Sequence, residues 1–332
     1  MERQSGEPSL SIPPEFWPYA HSVGLTSVHD IIQDWEDLKI YKQLLVGKPH
    51  GLKFNLKIPI DFMDRLLDSA QDEYPDRMTI DGVKGWTDGT LGTKTAWMRQ
   101  PYKNSHNSGG PCIKDLEYYR ADIKKAAAAG YSVLLHAIGD RAIGFNLSVF
   151  RECLELGLGT APLRIEHFQH PSQEDIKAMQ HPRLVASMQP LHIRGDAVPA
   201  EENLGTGRAA LSFPFKTLLE MGTALIFGSD WPIVSLDPLT GIHAAANRKD
   251  AHGSFPEGWL PHQKISVVEA IAGYTLQPAK VSGLAGRAGE ITVNAVADLT
   301  VLDRDITSIP PEDIPKAKTV MTVVDGQIVY EG

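Results

Sequence analysis

The sequence predicts an α/β protein, a (β/α)8 TIM-like barrel that lacks its first strand and carries a small β appendage at its C-terminus. Three observations support this prediction. Short apolar runs alternate with longer stretches of helical periodicity, which is the pattern of a parallel sheet. About seven strand–helix units precede residue 285, one fewer than an eight-stranded barrel requires. After residue 285 the pattern changes to short alternating strands.

The predicted barrel strands are the apolar runs of the first 285 residues. The runs Val133–Leu135 and Leu225–Phe227 are continuously apolar, as expected of parallel strands that are covered on both faces. The predicted strands are Leu25–His29, Leu52–Ile58, Gly82–Trp86, Ser132–His136, Leu163–His167, Leu184–Gln189 and Ala224–Gly228. The predicted helices are Glu15–Val23, Leu116–Ala129, Arg141–Leu156 and Ser172–Met179.

The C-terminal residues predict a second region. Ala297–Leu302, Thr319–Val324 and Gln327–Tyr330 alternate like antiparallel strands, and Asp325-Gly326 is a typical hairpin turn. We therefore predict an incomplete barrel over residues 1–285 and a small β region over residues 286–332.

Composition and charge narrow the function classes. The formal net charge is −9 and no run of lysine or arginine occurs, which argues against nucleic acid or an anionic membrane as a partner. The two cysteines give no disulfide framework, so we expect a reducing, cytoplasmic setting. No apolar run reaches 18 residues, so no membrane-spanning helix is predicted.

Four polar residues lie where predicted strands end. His136 ends one strand, His167 another, Asp230 follows a third, and Lys84 lies within a fourth. A parallel barrel brings the carboxyl ends of all its strands to one mouth, where catalysis takes place. The sequence therefore predicts that these four residues converge, although they are far apart along the chain.

This set of residues suits a divalent cation, with zinc as the expected ion. Imidazole offers a neutral nitrogen and aspartate a carboxylate, both of which are common zinc ligands. A lysine ammonium cannot bind a cation, but a lysine carbamylated by CO₂ carries a carboxylate, and burial favours the uncharged amine that this reaction needs. A bound cation lowers the pKa of a water toward about 7.

Each residue also has a purely structural interpretation. A single histidine at a strand end is more often a satisfied polar residue than a ligand, and Lys84 alone would be an ordinary lysine with an exposed head group. Two histidines and an aspartate in strand-end positions favour the metal site. For His192, after Met188-Gln189-Pro190, a place at the mouth and a place on an outlying loop are both open.

Several motifs of this chain resemble one family. They are GVKGWTDGTLGTKTAWMRQPY (82–102), LLHAIGDRAI (134–143), RIEHFQHPS (164–172), FGSDWPIVSLDPLTGIHAAANR (227–248) and ADLTVLDRD (297–305). In this order they resemble the amidohydrolase-3 branch of the amidohydrolase superfamily, the YtcJ-like hydrolases, over nearly the whole chain.

The resemblance implies a fold and a reaction. It implies a distorted TIM-like barrel of the metallo-dependent hydrolase type, with a small β-sandwich built from both chain termini. It also implies hydrolysis of carbon–nitrogen bonds, often amides, at a centre of one or two metals.

The resemblance also implies roles for individual residues. Lys84 would be a carbamylated ligand, His136 and His167 histidine ligands, and Asp230 both ligand and general base. His192 would help to polarise the substrate carbonyl. The residues that the resemblance implies to shape the pocket or contact a small-molecule substrate are Asp88, Gly89, Gln189 and His192. Trp231 is expected near the mouth from its place after a strand end, where its ring would either contact an apolar or aromatic substrate group or pack at the barrel rim.

The chain departs from the family pattern in one respect. The family has an H-x-H pair at the end of the first barrel strand, and this sequence contains none. Three explanations are open: a truncated form of a longer enzyme, which we favour, a naturally short form with one metal, or a metal-free remnant. We therefore expect one ion rather than two. An unclosed barrel exposes strand edges, which suggests a homodimer. The alternative function is a catalytically inactive protein with a binding or regulatory role.

Overall fold

A computed structural model describes residues 16–46, 50–69 and 77–332 of the chain. Glu15, the first residue of the predicted opening helix, lies outside these ranges. The described residues divide into two compact units. The first holds those up to Lys84 together with 297–301 and 319–332, and the second holds 85–296 and 302–318.

The described residues form ten strands, and their bounds follow the predicted apolar runs closely. The strands are β1 (Ser27–Ile31), β2 (Lys53–Pro59), β3 (Met78–Trp86), β4 (Ser132–Gly139), β5 (Leu163–His170), β6 (Leu184–Met188), β7 (Ala224–Phe227), β8 (Leu299–Leu302), β9 (Thr319–Val324) and β10 (Gln327–Glu331).

Helices connect most of the barrel strands. They are α1 (Phe16–Ser22), α2 (Asp37–Leu45), α3 (Met63–Asp68), α4 (Leu116–Ala128), α5 (Asp140–Glu155), α6 (Gln173–Ala178), α7 (Ile193–Leu204), α8 (Thr206–Ala209), α9 (Phe215–Glu220), α10 (Pro238–Asn247), α11 (Val267–Tyr274) and α12 (Leu276–Val281). Short 3₁₀ turns cover Ile60–Phe62, Pro190–His192, Pro261–Gln263 and Pro311–Lys316. None of these helices is both long and apolar enough to cross a lipid bilayer.

Local sequence signals explain where several helices begin. Asp115 accepts hydrogen bonds from the first backbone N–H groups of α4. Ser172 and Asp175 form a reciprocal capping box at the start of α6. Such caps satisfy N–H groups that the first helical turn leaves without a partner.

In the first unit, three parallel strands and a C-terminal sheet occur together. The strands have the order β1-β2-β3, with β1–β2 and β2–β3 both parallel. The C-terminal sheet has the order β10-β9-β8, and β9 and β10 are antiparallel around Asp325-Gly326, as predicted. Lys53 in β2 pairs with Asp298 at 2.7 Å and with Asp325 at 2.6 Å, which links this sheet to the barrel strands of the same unit.

In the second unit, β4, β5, β6 and β7 pair in sequence order and all run parallel. Every residue of β4, β5 and β6 is buried, because both faces of the sheet are covered. Val133, Leu163 and Leu184 share one register level, so these strands start together and their carboxyl ends lie side by side. The prediction of parallel α/β architecture is thus confirmed in both units, whereas the missing first strand and the domain boundary at residue 285 stay predictions.

A buried arginine organises the end of α10. The Arg248 backbone is left-handed, with φ 54°, and its side chain is fully buried. The guanidinium donates to the carbonyl oxygens of Trp259 at 2.8 Å, Phe213 at 3.0 Å and Ser212 at 3.4 Å. It also lies 5.2 Å from the centre of the Phe215 ring. Burial lowers the pKa of Arg248 to about 9. One side chain therefore joins three segments of the second unit.

We expect Arg248→Ala to lower the free energy of unfolding by about 3 kcal/mol or more, because it leaves a cavity and removes the donors from three carbonyls. The adjacent Lys249 is exposed, so Lys249→Ala is the matched control and should change stability by no more than about 0.5 kcal/mol. Denaturant unfolding of both variants checks this expectation. Equal stability of the two variants would contradict the joining role of Arg248.

Candidate metal centre

The candidate centre of the second unit is built at the carboxyl ends of neighbouring parallel strands. His136 and His167 lie in β4 and β5, one register step apart, because Ala137 pairs with His167. His192 ends the 3₁₀ turn that follows β6, and Asp230 lies three residues after the end of β7. The topology therefore brings together side chains that are up to 94 residues apart in sequence.

Three imidazoles and one carboxylate form a contiguous group. The ring centres of His136 and His167 are 4.4 Å apart, and those of His167 and His192 are 6.0 Å apart. The Nε2 atom of His192 lies 3.8 Å from Oδ2 of Asp230. We call His136, His167, His192 and Asp230 the histidine cluster.

Part of the histidine cluster has the dimensions of a cation site. One ligand atom each from His167, His192 and Asp230 lies within 4.8 Å of the others. Ligand atoms about 2.0–2.2 Å from a zinc ion are a little closer together than this, so a small contraction would satisfy the ion. Two imidazoles and a carboxylate are a set of donors that zinc accepts in hydrolytic sites. The residues therefore fit a divalent cation.

The residues of the histidine cluster differ in their exposure to solvent. His167 is 7% exposed, whereas the side chain of Asp230 is 41% exposed. Burial lowers the pKa of His192 to about 4. The His192 ring is therefore neutral near pH 7 and carries the lone pair that a metal ligand or hydrogen-bond acceptor needs.

Two cluster residues have an uncommon backbone conformation. The φ of His167 is 77° and that of Asp230 is 59°, both in the left-handed region. A residue other than glycine in this region costs of order 1–3 kcal/mol, and such residues concentrate at functional sites.

The loop after β3 surrounds His136. The Nε2 atom of His136 lies 3.2 Å from the carbonyl oxygen of Gly89 and 3.6 Å from Oδ1 of Asp88. The Asp88 carboxylate accepts hydrogen bonds from the backbone N–H groups of Trp97 at 2.8 Å, Gly139 at 2.9 Å and Ile138 at 3.0 Å. Burial raises the pKa of Asp88 to about 7, and the backbone N–H groups oppose that rise. The predicted substrate contact of Asp88 and Gly89 stays a prediction.

Gln189 and Trp231 flank the cluster in sequence. Gln189 is 5% exposed, and its Oε1 atom is buried without a hydrogen-bond donor among the described residues. Such an acceptor suits a ligand N–H group. Trp231 is 43% exposed and follows Asp230 directly. Both positions are compatible with the predicted substrate contacts, which remain predictions.

Lys84 belongs to the first compact unit, where it lies in β3 and is 2% exposed. The burial expected from the sequence is therefore observed. Its carbamylation and its role as a metal ligand stay predictions.

The sequence predicts that His136, His167 and Asp230 converge, but it does not decide the place of His192. The structure places His192 in the cluster, close to both His167 and Asp230. The signal in the sequence is its position a few residues after β6, just as Asp230 lies a few residues after β7. What the sequence did not show is the 3₁₀ turn Pro190–His192, which brings the ring back toward β5.

Comparison with known proteins supports the geometry. The model of the amidohydrolase family matches residues 20–330. The chain is 28% identical to Protein LONG AFTER FAR-RED 3 of Arabidopsis thaliana, over 94% of this chain and 56% of that protein. It is 29% identical to the putative amidohydrolase YtcJ of Bacillus subtilis, over 89% of this chain and 55% of that protein. The chain therefore spans little more than half the length of these relatives.

A solved structure shows the same architecture. The chain is similar to an uncharacterised metal-dependent hydrolase from Pyrococcus horikoshii, with a TM-score of 0.78 and 27% sequence identity. The similarity covers 89% of this chain and 59% of that one.

Proposed function

We propose that this chain, which belongs to the amidohydrolase family, is a metal-dependent hydrolase that cleaves carbon–nitrogen bonds other than peptide bonds in an amide-type substrate. The observation that carries the proposal is the convergence of His167, His192 and Asp230 within 4.8 Å at the carboxyl ends of parallel strands. The names of the family and of the Bacillus relative support the amide-type reaction.

The proposed cofactor is one divalent cation, with zinc as the expected ion. His136, His167 and Asp230 would hold it with a carbamylated Lys84, and His192, whose ring lies next to that of His167, would face the substrate. When bound, such an ion polarises a carbonyl oxygen and lowers the pKa of water.

Asp230 would carry the proton in this reaction. Its carboxylate accepts the proton of the attacking water and then delivers it to the leaving nitrogen, so that it acts first as a base and then as an acid. An aspartate that is 41% exposed can reach both water and substrate. The neutral His192 ring, 3.8 Å from Asp230, is placed to donate an N–H hydrogen bond to the substrate carbonyl.

Two further side chains would bind the rest of the substrate. The buried Oε1 of Gln189 would accept the amide N–H, and the exposed ring of Trp231 would cover an apolar or aromatic group. Trp97 is less exposed and packs against Phe145, with ring centres 6.4 Å apart, so we assign it no substrate contact.

The function is tested by metal analysis and a substrate panel. We expect about one ion per chain, hydrolysis of N-acyl and N-formyl amines, loss of this activity on chelation and its return with Zn²⁺. Hydrolysis of dipeptides alone would overturn the choice of bond, and a folded chain that binds no divalent ion would overturn the proposal.

The second candidate, which the sequence left open, is a catalytically inactive protein with a binding or regulatory role. Such a protein would need no metal. The same metal analysis therefore separates the two candidates.

Lys84→Ala is expected to lose the metal, because it removes the amine on which the carbamate forms. Short-chain carboxylic acids should restore part of the metal content by supplying a carboxylate in the space vacated. Metal analysis with and without added acetate or propionate measures this, and Lys114→Ala, at an exposed lysine, is the control. Full metal occupancy in Lys84→Ala without any added acid would contradict carbamylation.

A further inference from the structure

We propose that Asp88 is a positioning residue that fixes the loop after β3 against the end of β4 and thereby sets the ring orientation and tautomer of His136. The inference rests on the proposed metal-dependent function. It assigns Asp88 a role different from the substrate contact expected from the sequence.

The surroundings of Asp88 are those of a structural anchor. Its side chain is 0% exposed. Oδ2 accepts hydrogen bonds from the backbone N–H groups of Trp97 and Gly139, and Oδ1 accepts one from the N–H group of Ile138. With Nε2 of His136 also facing Oδ1, the carboxylate is surrounded by donors of the protein itself. A substrate would have to displace one of them.

These bonds connect the loop to β4 at His136 and at the residues that follow it. On one side the carboxylate holds Trp97, nine residues further along the loop. On the other side it holds Ile138 and Gly139, which follow His136 in β4. In addition, the N–H of Thr87 donates to the carbonyl oxygen of His136 at 3.1 Å. The segment from Thr87 to Gly89 therefore contacts both the backbone and the ring of His136.

Two oxygen atoms face Nε2 of His136. The Gly89 carbonyl oxygen at 3.2 Å takes the hydrogen bond, and Oδ1 of Asp88 lies 3.6 Å from the same nitrogen. Nε2 therefore carries the proton, and Nδ1 carries the lone pair that a metal can bind. An oxygen acceptor behind a histidine ligand fixes its tautomer and raises its basicity, and loss of such a partner typically weakens metal binding 10–100-fold.

Asp88→Asn tests the proposal with little change of shape. In either orientation the amide places its NH₂ group against a backbone N–H, and in one of them also against Nε2–H of His136. We expect Co²⁺, the spectroscopic probe, to bind about 10–100-fold more weakly than to the wild type, with an altered visible absorption spectrum.

The matched control is Asp175→Asn. Asp175 is also a buried carboxylate, which accepts the N–H of Ser172 at 2.9 Å and pairs with Arg99 at 2.7 Å. This variant should melt at a lower temperature yet keep the wild-type Co²⁺ affinity and spectrum. Asp88→Asn with wild-type affinity and spectrum, or with a loss no greater than that of Asp175→Asn, would overturn the proposal.

A second measurement covers the case in which Asp88→Asn does not fold. In the metal-free wild type labelled with ¹⁵N-histidine, long-range ¹H–¹⁵N correlation should show His136 with its proton on Nε2, and a proton on Nδ1 would overturn the inference. This readout needs no metal. A wild type that binds no Co²⁺ refutes the proposed function, whereas a wrong tautomer refutes the role of Asp88.

Discussion

Asp230→Asn should lower turnover by at least about 10²-fold while the zinc content stays close to that of the wild type. The asparagine keeps an oxygen that can bind a metal but cannot accept the proton of the attacking water. The fold should tolerate the change, because asparagine is one of the residues that adopt a left-handed backbone readily, and φ at this position is 59°.

Steady-state rates and metal content per chain, measured on the same preparations, check this expectation. Asp305→Asn is the control for the loss of one negative charge, since Asp305 is exposed and lies outside the histidine cluster. Turnover retained in Asp230→Asn would remove Asp230 from the role of general base. Turnover and zinc lost together would make it mainly a ligand.

His167→Asn should weaken zinc binding by about 100-fold or more and abolish turnover. His167 is the central member of the histidine cluster, since its ring centre lies 4.4 Å from that of His136 and 6.0 Å from that of His192. Its removal separates the remaining donors. Asparagine again suits the left-handed backbone, where φ is 77°.

His170→Asn is the matched control in the same strand. His170 is buried, and its Nδ1 atom lies 2.7 Å from the hydroxyl of Ser212 rather than in the cluster. This variant should lose stability but keep its zinc affinity, as equilibrium dialysis can measure. Equal zinc affinity of His167→Asn and the wild type would remove His167 from the proposed metal centre.

The strands were predictable from sequence where both of their faces are covered. In β4 every residue is buried, so the apolar run Val133–Leu135 marks that strand directly. β5 is also buried throughout, but its run is interrupted by Arg164 and Glu166, which pair with each other at 3.0 Å. The start of β3 was placed at Gly82, but the strand begins at Met78. Thr79 is exposed and Ile80 and Asp81 are only partly buried, so polar residues on both sides of Ile80 leave no continuous apolar run to recognise.

The convergence of the cluster was predictable for a topological reason, because parallel strands align their carboxyl ends. The contacts and backbone conformations that hold the cluster residues in place were not predictable from the sequence. Asp88 binds backbone N–H groups of Ile138 and Gly139, which lie 50 and 51 residues away, and no local pattern encodes such a contact. The positive φ of His167 and Asp230 was equally hidden, since glycine is the usual sequence sign of that conformation and neither position has it.

The left-handed backbone at Asp230 lowers the stability of the fold, whereas the aspartate side chain is needed for the proposed reaction. Glycine would adopt φ 59° without steric penalty, and since the aspartate is 41% exposed, its removal would forfeit little packing. Laboratory evolution that selects for thermal stability alone should therefore accept Asp230→Gly and yield variants that are more stable but inactive. Screening for survival and for product in alternating rounds would keep the aspartate in place.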